Sequence, residues 1–282
     1  MKIGMNMHLW STNVTQEHFA DIETLKEIGY DGIEIFLAEP DRANYEQVGS
    51  FLQSIDLEVN GCLGLGPDQD PISKDASVRQ AGLEKIKEAI DNMHAAGGKN
   101  ICGPFHSAFA TFSRDEPQED EYKRSAEVLH AAAEHAAQAG ITLTPEALNR
   151  FECYLVNTMA QLKKLVDLAD HPNLRGMFDP HHANIEEKSF AGAIDTIGPV
   201  MTHVHISEND RGTPGAGHIP WDEVFSSIAN TGYDGWYTIE AFSRDDLGFA
   251  NAINVWREFN PRMDICRDGY TFTKAMIEKH KI

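Results

Sequence analysis

Eight times along the 282 residues, a short apolar run gives way to a longer stretch of helical periodicity. The runs are Lys2–Met7, Gly32–Phe36, Leu57–Cys62, Lys99–Cys102, Ile141–Pro145, Leu174–Phe178, Val200–Ile206 and Gly235–Ile239. Helical patterns follow at Gln16–Ile28, Tyr45–Ile55, Ser77–Ala96, about 119–139, about 158–169, Pro220–Asn230 and Phe249–Phe259. Gly29, Gly97-Gly98, Gly140 and Gly232 stop several of them, and Asn184-Ile185-Glu186-Glu187 reads as an N-cap with a Glu behind it, opening the helix after the sixth strand. Strands separated by helices pair in parallel through right-handed crossovers, and eight in under 300 residues predict a closed (β/α)8 TIM barrel of the α/β class. An open doubly wound sheet is the rival, but it needs a Gly-rich turn after the first strand. His8-Leu9-Trp10-Ser11 stands there instead. No linker, repeat or low-complexity tract interrupts the alternation, so residues 1–282 read as one domain, with an extra helix at about Thr273–Lys279.

In such a barrel the chemistry sits where the strands end. Those ends carry Glu34 on the second strand, Glu146 on the fifth, Asp179 on the sixth, His205 on the seventh and Glu240 on the eighth. Four successive strands thus each offer a metal-ligand type. Three carboxylates and an imidazole are a hard donor set that suits Mn²⁺, Co²⁺ or Mg²⁺, although zinc also accepts it. Each residue has a plainer reading. A strand-ending Glu146 can simply face solvent, and Glu34 can pair with a neighbouring cation. In His203-Val-His205 the two imidazoles point to one side. His205, nearer the strand end, reads as the ligand and His203 as a hydrogen-bonded core residue. Of His181-His182, one at most faces the site. The loop Ser207–Pro220 holds Arg211 and three glycines, suited to a phosphate or to a sugar oxygen. Trp10, Phe105, Phe109 and Phe112 lie in loops at the same end, as an apolar wall against sugar C–H faces or as ordinary core.

Composition removes several classes. Asp and Glu number 44 against 24 Lys and Arg, a net charge of −20, which disfavours nucleic acid. No apolar run approaches the ~18 residues of a membrane span, and the start M-K-I-G-M-N-M-H is too short in its apolar part for a secretory leader. The four cysteines, 62, 102, 153 and 266, form no Cys-x-x-Cys pair and read as reduced, which points to a cytoplasmic protein. Cys62 and Cys102 read as small core residues.

Four segments together carry a resemblance: Glu146-Ala-Leu-Asn-Arg-Phe-Glu152, Asp179-Pro-His-His182-Ala-Asn-Ile-Glu-Glu, His205-Ile-Ser-Glu-Asn-Asp-Arg211-Gly-Thr-Pro-Gly and Ile239-Glu240-Ala-Phe. The chain resembles the ketose 3-epimerases, acting on D-tagatose, D-psicose (D-allulose) or L-ribulose, of the xylose-isomerase-like barrels. The resemblance implies one divalent ion, commonly Mn²⁺ or Co²⁺, on Glu146, Asp179, His205 and Glu240, with Glu146 and Glu240 also the acid/base pair acting through an enediolate. It implies Glu152, His182 and Arg211 around the C1–C3 end of a ketose, with Trp10 and Phe105 as further candidate contacts, and a homodimer or homotetramer. Pro145, Pro180, His181 and the loops after strands one and four depart from the pattern. A hydroxypyruvate isomerase, to which the N-R-F-E segment is less suited, and a non-catalytic sugar-binding barrel are the alternatives. An endonuclease IV-like enzyme would want more histidines and a basic groove.

Overall fold

The computed structural model describes residues 1–281. Its strands are β1 (Lys2–Asn6), β2 (Gly32–Phe36), β3 (Glu58–Cys62), β4 (Asn100–Gly103), β5 (Thr142–Pro145), β6 (Gly176–Phe178), β7 (Met201–Ile206) and β8 (Trp236–Ile239). Neighbours run β5-β4-β3-β2-β1-β8-β7-β6, every pair parallel. The two ends of that order meet. Leu143 N donates to Asn173 O and Arg175 N to Leu143 O, each at 2.8 Å, so the sheet closes as a (β/α)8 barrel. The closing bridge uses Leu174 outside β6, and the register with β7 shifts between Gly176 and Met177, which is why β6 is shorter than its apolar run.

The main helices are α1 (Phe19–Ile28), α2 (Arg42–Ser54), α3 (Ala76–Ala95), α4 (Glu119–Ala139), α5 (Met159–Ala169), α6 (Pro180–Glu186), α7 (Phe190–Ile197), α8 (Trp221–Asn230), α9 (Leu247–Ala252) and α10 (Arg262–His280). Local chemistry sets their ends. The Thr158 and Gln161 side chains form a capping box on α5, and Gly140 ends α4 in the left-handed region at φ 68°. Ile33, Leu143 and Val204 on strands, and Ile22, Leu129, Leu162 and Val224 on helices, are fully buried. Each such side chain contributes roughly 1.5–3 kcal/mol. No helix among the described residues is long and apolar enough to cross a membrane, and all four cysteines are buried and unbridged.

Three expected boundaries move. Asn184–Glu187 does not open a helix. It closes α6, which starts at Asp179 as N-cap with Pro180 behind it; the next helix, α7, is capped by Ser189. The stretch 249–259 is not one helix: α9 ends at Ala252, and Asn254 sits at φ 60°. The last helix begins at Arg262, eleven residues before Thr273, because Ile265, Gly269, Thr273 and Met276 make a buried stripe against α1 and α8 too sparse in large apolar residues to show as periodicity.

Candidate active site

Period-two alternation places Asn6, Glu34, Cys102, His203 and His205 together inside the barrel, gathered around the Glu34 carboxylate. His205 is fully buried. Its Nδ1 faces Glu146 Oε1, Asp179 Oδ2 and Glu240 Oε1, each at 3.5 Å. Asp179 arrives by helix capping: one oxygen accepts from His181 N at 2.6 Å and His182 N at 3.4 Å, leaving the other free toward His205. Glu146 Oε1, Asp179 Oδ2 and His205 Nδ1 are enclosed and have no hydrogen-bond partner among the described residues. Unpaired buried acceptors gathered around one point are costly unless a cation sits among them. Two overlapping triads with ligand atoms within 4.8 Å of one another, Glu146–Asp179–His182 and Asp179–His205–Glu240, make a candidate metal-binding site whose hard donors fit a divalent ion.

Behind the site lies a second layer. His205 Nε2 is 3.0 Å from Glu34 Oε1, so a neutral imidazole donates its N–H there and keeps the Nδ1 lone pair for a ligand. Glu34 also accepts from Asn6 Nδ2 at 2.8 Å and Cys102 Sγ at 3.2 Å, with His203 Nε2 at 2.9 Å. Glu34 thus meets two histidines and no Lys or Arg among the described residues. Cys102 is more than core filling, since its thiol faces that carboxylate.

Glu152, His182 and Arg211 gather on one side of the carboxylates. Arg211 Nη2 lies 3.4 Å from Glu152 Oε2 and 2.8 Å from His182 Nε2. His182 Nδ1 accepts from Asn149 N at 3.0 Å, a fixed backbone donor, so its Nε2 carries the proton. Two donors, Arg211 Nη2 and His182 Nε2, then face each other, with Glu146 Oε1 3.7 Å from the same nitrogen. A ligand oxygen between them would satisfy both. Asn149 Nδ2 also donates to Glu152 Oε1 at 3.0 Å, a role that nothing in its sequence position signalled. His181 turns away, its Nδ1 3.1–3.2 Å from the carbonyls of Asn209 and Glu208. Arg150 forks onto Glu186 at 2.8–2.9 Å, and Met159 N donates to Glu187 at 2.7 Å, so the N-R-F-E and N-I-E-E segments hold each other.

Glu208 builds the loop that carries Arg211. Its Oε1 accepts from Asn209 N and Ile219 N at 3.0 and 3.1 Å, and its Oε2 from Gly215 N and Trp221 Nε1 at 2.9 and 2.8 Å. Gly217 is packed so closely that a Cβ would meet the Asn209 and Glu208 side-chain oxygens at 2.1 and 2.4 Å. Arg211 itself takes φ 60°, and its guanidinium lies 4.7 Å from the Phe242 ring centroid.

These groups open into a cavity of 390 Å³ whose apolar wall includes Phe36, Phe109, Phe242 and Phe249. Trp10 and Phe105 do not line it. Phe105 is fully buried in the core, and Trp10 packs beneath the Arg262 guanidinium. Their neighbours His8, Pro104 and Phe109 line it instead, with Phe242, two residues past Glu240, and Phe249 on α9.

Burial drives the electrostatics. It raises Glu146, and pushes Glu240 up to about 8. Burial also opposes ionisation of Glu34 and Asp179, but the histidine charges outweigh it and hold both below the usual carboxylate range. Burial lowers His205 too, yet the charges of Glu240 and Glu34 raise it well above an ordinary histidine. A site that favours imidazolium so strongly favours a metal cation for the same reason. Glu152 is brought down to about 2 by Arg211 and then His182, against burial, and desolvation lowers His182 to about 3.

The xylose isomerase-like TIM barrel family matches residues 22–270. The D-psicose 3-epimerase of Agrobacterium fabrum is 30% identical over 273 residues, covering 95% of this chain and 94% of that protein. A solved L-ribulose 3-epimerase superposes with a TM-score of 0.93 at 28% identity, over 99% of this chain and 95% of its own. The D-allulose 3-epimerase of Methylomonas sp., solved in complex with D-allulose, gives 0.91 at 28% identity, over 98% and 97%. With the family matched over most of its length and these relatives at near-full coverage, the chain belongs to the ketose 3-epimerases of the xylose isomerase-like TIM barrels, an isomerase family acting on sugars.

Proposed function

We propose that this enzyme inverts C3 of a free ketose of the D-allulose/D-fructose, D-tagatose or L-ribulose type, with one divalent ion, Mn²⁺ first and Co²⁺ or Mg²⁺ next, on Glu146, Asp179, His205 and Glu240. The observation that carries this reading is the set of three carboxylate oxygens, each 3.5 Å from His205 Nδ1, with the two glutamates on strands three apart around the barrel. Held by those residues, the ion would supply polarisation of the ketose carbonyl, which would acidify the C3 proton. Inversion needs a proton removed from one face and one returned to the other, which one base on one side does poorly. Glu146 on β5 and Glu240 on β8 can flank the sugar, one ionised and accepting, the other protonated and donating. Burial raises Glu146 and pushes Glu240 up to about 8, the direction a proton donor needs. Arg211 and His182 as donors and Glu152 as an acceptor orient the C1–C3 end. A phosphate ester is disfavoured because Arg211 is already paired with Glu152 and the cavity is lined by Glu146, Glu152 and Glu240. We read the enzyme as cytoplasmic, and as a homodimer or homotetramer.

The test is turnover of D-allulose, L-ribulose and D-tagatose with Mn²⁺ in D₂O. The expected result is deuterium at C3 of the epimerised product. Product that retains the original C3 hydrogen through many turnovers would refute the two-glutamate mechanism. A clearly higher kcat/KM for a ketose phosphate than for every free ketose would refute the substrate class.

A further inference from the structure

Behind the candidate metal-binding site, Glu34, Cys102, His203 and His205 form a second donor cluster, one ligand atom from each lying within 4.8 Å of the others. Glu34 is 1% exposed and the other three are fully buried. His203 Nε2 lies 2.9 Å from Glu34 Oε2, and His205 Nε2 3.0 Å from Glu34 Oε1. Cys102 Sγ lies 3.2 Å from Glu34 Oε2 and 3.7 Å from His205 Nε2. Adjacent donors of a tetrahedral zinc site, with bonds of ~2.0–2.3 Å, stand about 3.3–3.6 Å apart, so the cluster is close to that spacing before any ion enters. The two imidazoles meet edge to face, with ring centroids 5.3 Å apart at 77°.

One of these contacts is not a hydrogen bond. Despite the 2.9 Å separation, His203 Nε2 has no hydrogen-bond partner among the described residues, because Glu34 Oε2 lies off the line of its N–H. A nitrogen and an oxygen set side by side face a common point, which is how two ligands meet one ion. The cluster also differs in kind from the site in front of it. Glu146, Asp179 and Glu240 bring only oxygen, whereas the inner set brings a thiol, the donor that a thiophilic ion such as Zn²⁺ or Cd²⁺ selects. Cys62, the register partner of Cys102 on β3, packs against it and lines the cavity, which brings the cluster within one side chain of the cavity.

We propose that Glu34, Cys102, His203 and His205 form an inner site for a thiophilic divalent ion, and that its occupation opposes binding of the outer ion. The second clause rests on the reading above, in which His205 Nδ1 ligates the outer ion. Binding inside displaces the Cys102 thiol proton to solvent. It also takes the Nε2 lone pair of His205, so the ring proton shifts to Nδ1 and points at Glu146, Asp179 and Glu240. That nitrogen is then a donor and no longer a ligand. His203 likewise carries its proton on Nδ1, which faces the Asn100 side-chain amide at 3.5 Å. Turning that amide over sets its oxygen there, and Thr144 Oγ1, which donates to Asn100 Oδ1 at 2.5 Å in the ion-free arrangement, accepts from the NH₂ instead. A hard ion outside and a soft ion inside thus compete for one imidazole through its two nitrogens.

The test reads the thiolate in the absence of substrate. The full chain, stripped of metal by chelation, is titrated anaerobically with Cd²⁺ or Co²⁺, and the sulfur-to-metal charge-transfer band is followed in wild type, Cys102→Ser, Cys102→Ala and Cys62→Ser. Calorimetry then measures Mn²⁺ affinity in each with and without equimolar Zn²⁺, and thermal unfolding checks that each variant is folded. Wild type and Cys62→Ser should develop the band and Cys102→Ser should not, since the outer donors hold no sulfur. Zn²⁺ should weaken Mn²⁺ binding by at least about 10-fold in wild type, the scale on which a disturbed metal ligand acts, and by clearly less in Cys102→Ser. Should Cys102→Ser fold poorly, Cys102→Ala reads the same loss. No band at saturating Cd²⁺, or a band that disappears with Cys62 and survives the loss of Cys102, overturns the inner site. An equal Zn²⁺ effect in wild type and Cys102→Ser overturns the antagonism. Failure of the wild type to bind Mn²⁺ overturns the outer-site reading and the antagonism with it, while the Cd²⁺ band still decides the inner site.

Discussion

Replacing Glu208 by Gln tests how far the loop after β7 governs the site. The carboxylate accepts four N–H groups, two on each oxygen, and is fully buried. An amide is the same shape but keeps one accepting oxygen. Whichever way it turns, two hydrogen bonds are lost and an NH₂ faces two N–H donors. Hydrogen bonds to a charged group contribute about 1.5–3 kcal/mol each, so the gross loss is about 3–6 kcal/mol. Expressed globally, that lowers the unfolding temperature by on the order of 10 °C, at ~2–4 °C per kcal/mol for a chain of this size. Expressed locally, the loop opens and Arg211, three residues on, leaves its place beside Glu152 and His182. Trp221→Phe, which removes only one donor, should cost less than half as much. The assay is thermal unfolding combined with ketose KM. Glu208→Gln unfolding within ~1 °C of wild type, with KM unchanged, would refute the assignment of Glu208 as the loop's organiser. Acidity should act in the same direction. The hydrogen bonds outweigh burial and hold Glu208 below its ordinary value. Its contribution is therefore present above the usual carboxylate range and is lost as pH falls through the depressed native value.

Further expectations follow from the same geometry. Chelation should abolish epimerisation, and Mn²⁺ or Co²⁺ should restore it; full activity in protein shown metal-free by elemental analysis would count against the site. Glu146→Gln or Glu240→Gln should lower kcat by about 10²–10⁴-fold, with metal content checked because each is also a candidate ligand. Glu34→Gln should weaken Mn²⁺ binding by about 10–100-fold in a competition titration, whatever its effect on rate, since it unsettles the His205 tautomer; unchanged affinity would leave Glu34 a structural residue only. His8 and His181 are lowered to about 4 and His182 to about 3 by burial, so each is neutral in the folded chain at pH 5 and protonated once unfolded. Stability should therefore decline as pH falls below ~6.5, with net proton uptake on unfolding measurable by calorimetry in buffers of different ionisation enthalpy.

The alternation of apolar strands with helical stretches was enough to define the (β/α)8 barrel, because strand period, helix period and glycine stops are local properties of the chain. Strand ends are also local, and the register of parallel strands carries those ends to one face; Glu146, Asp179, His205 and Glu240 were legible for that reason. Helix boundaries set by packing were not: α10 starts eleven residues earlier than its pattern because Gly269 and Thr273, weak as periodic signals, lie in its buried stripe. Nor was the choice among aromatics. Trp10 and Phe105 have the same composition signal as Phe242 and Phe249, and only the path of each loop decides which ring meets the cavity. The partners of Glu34 and Arg211 lie across strands distant in sequence, so no spacing in the chain encodes them. Sequence determined which groups arrive at the mouth of the barrel, since that depends on register along each strand. Tertiary structure alone decided which nitrogen faces which oxygen, since that depends on side chains packed from separate strands and on the donors that remain unpaired between them.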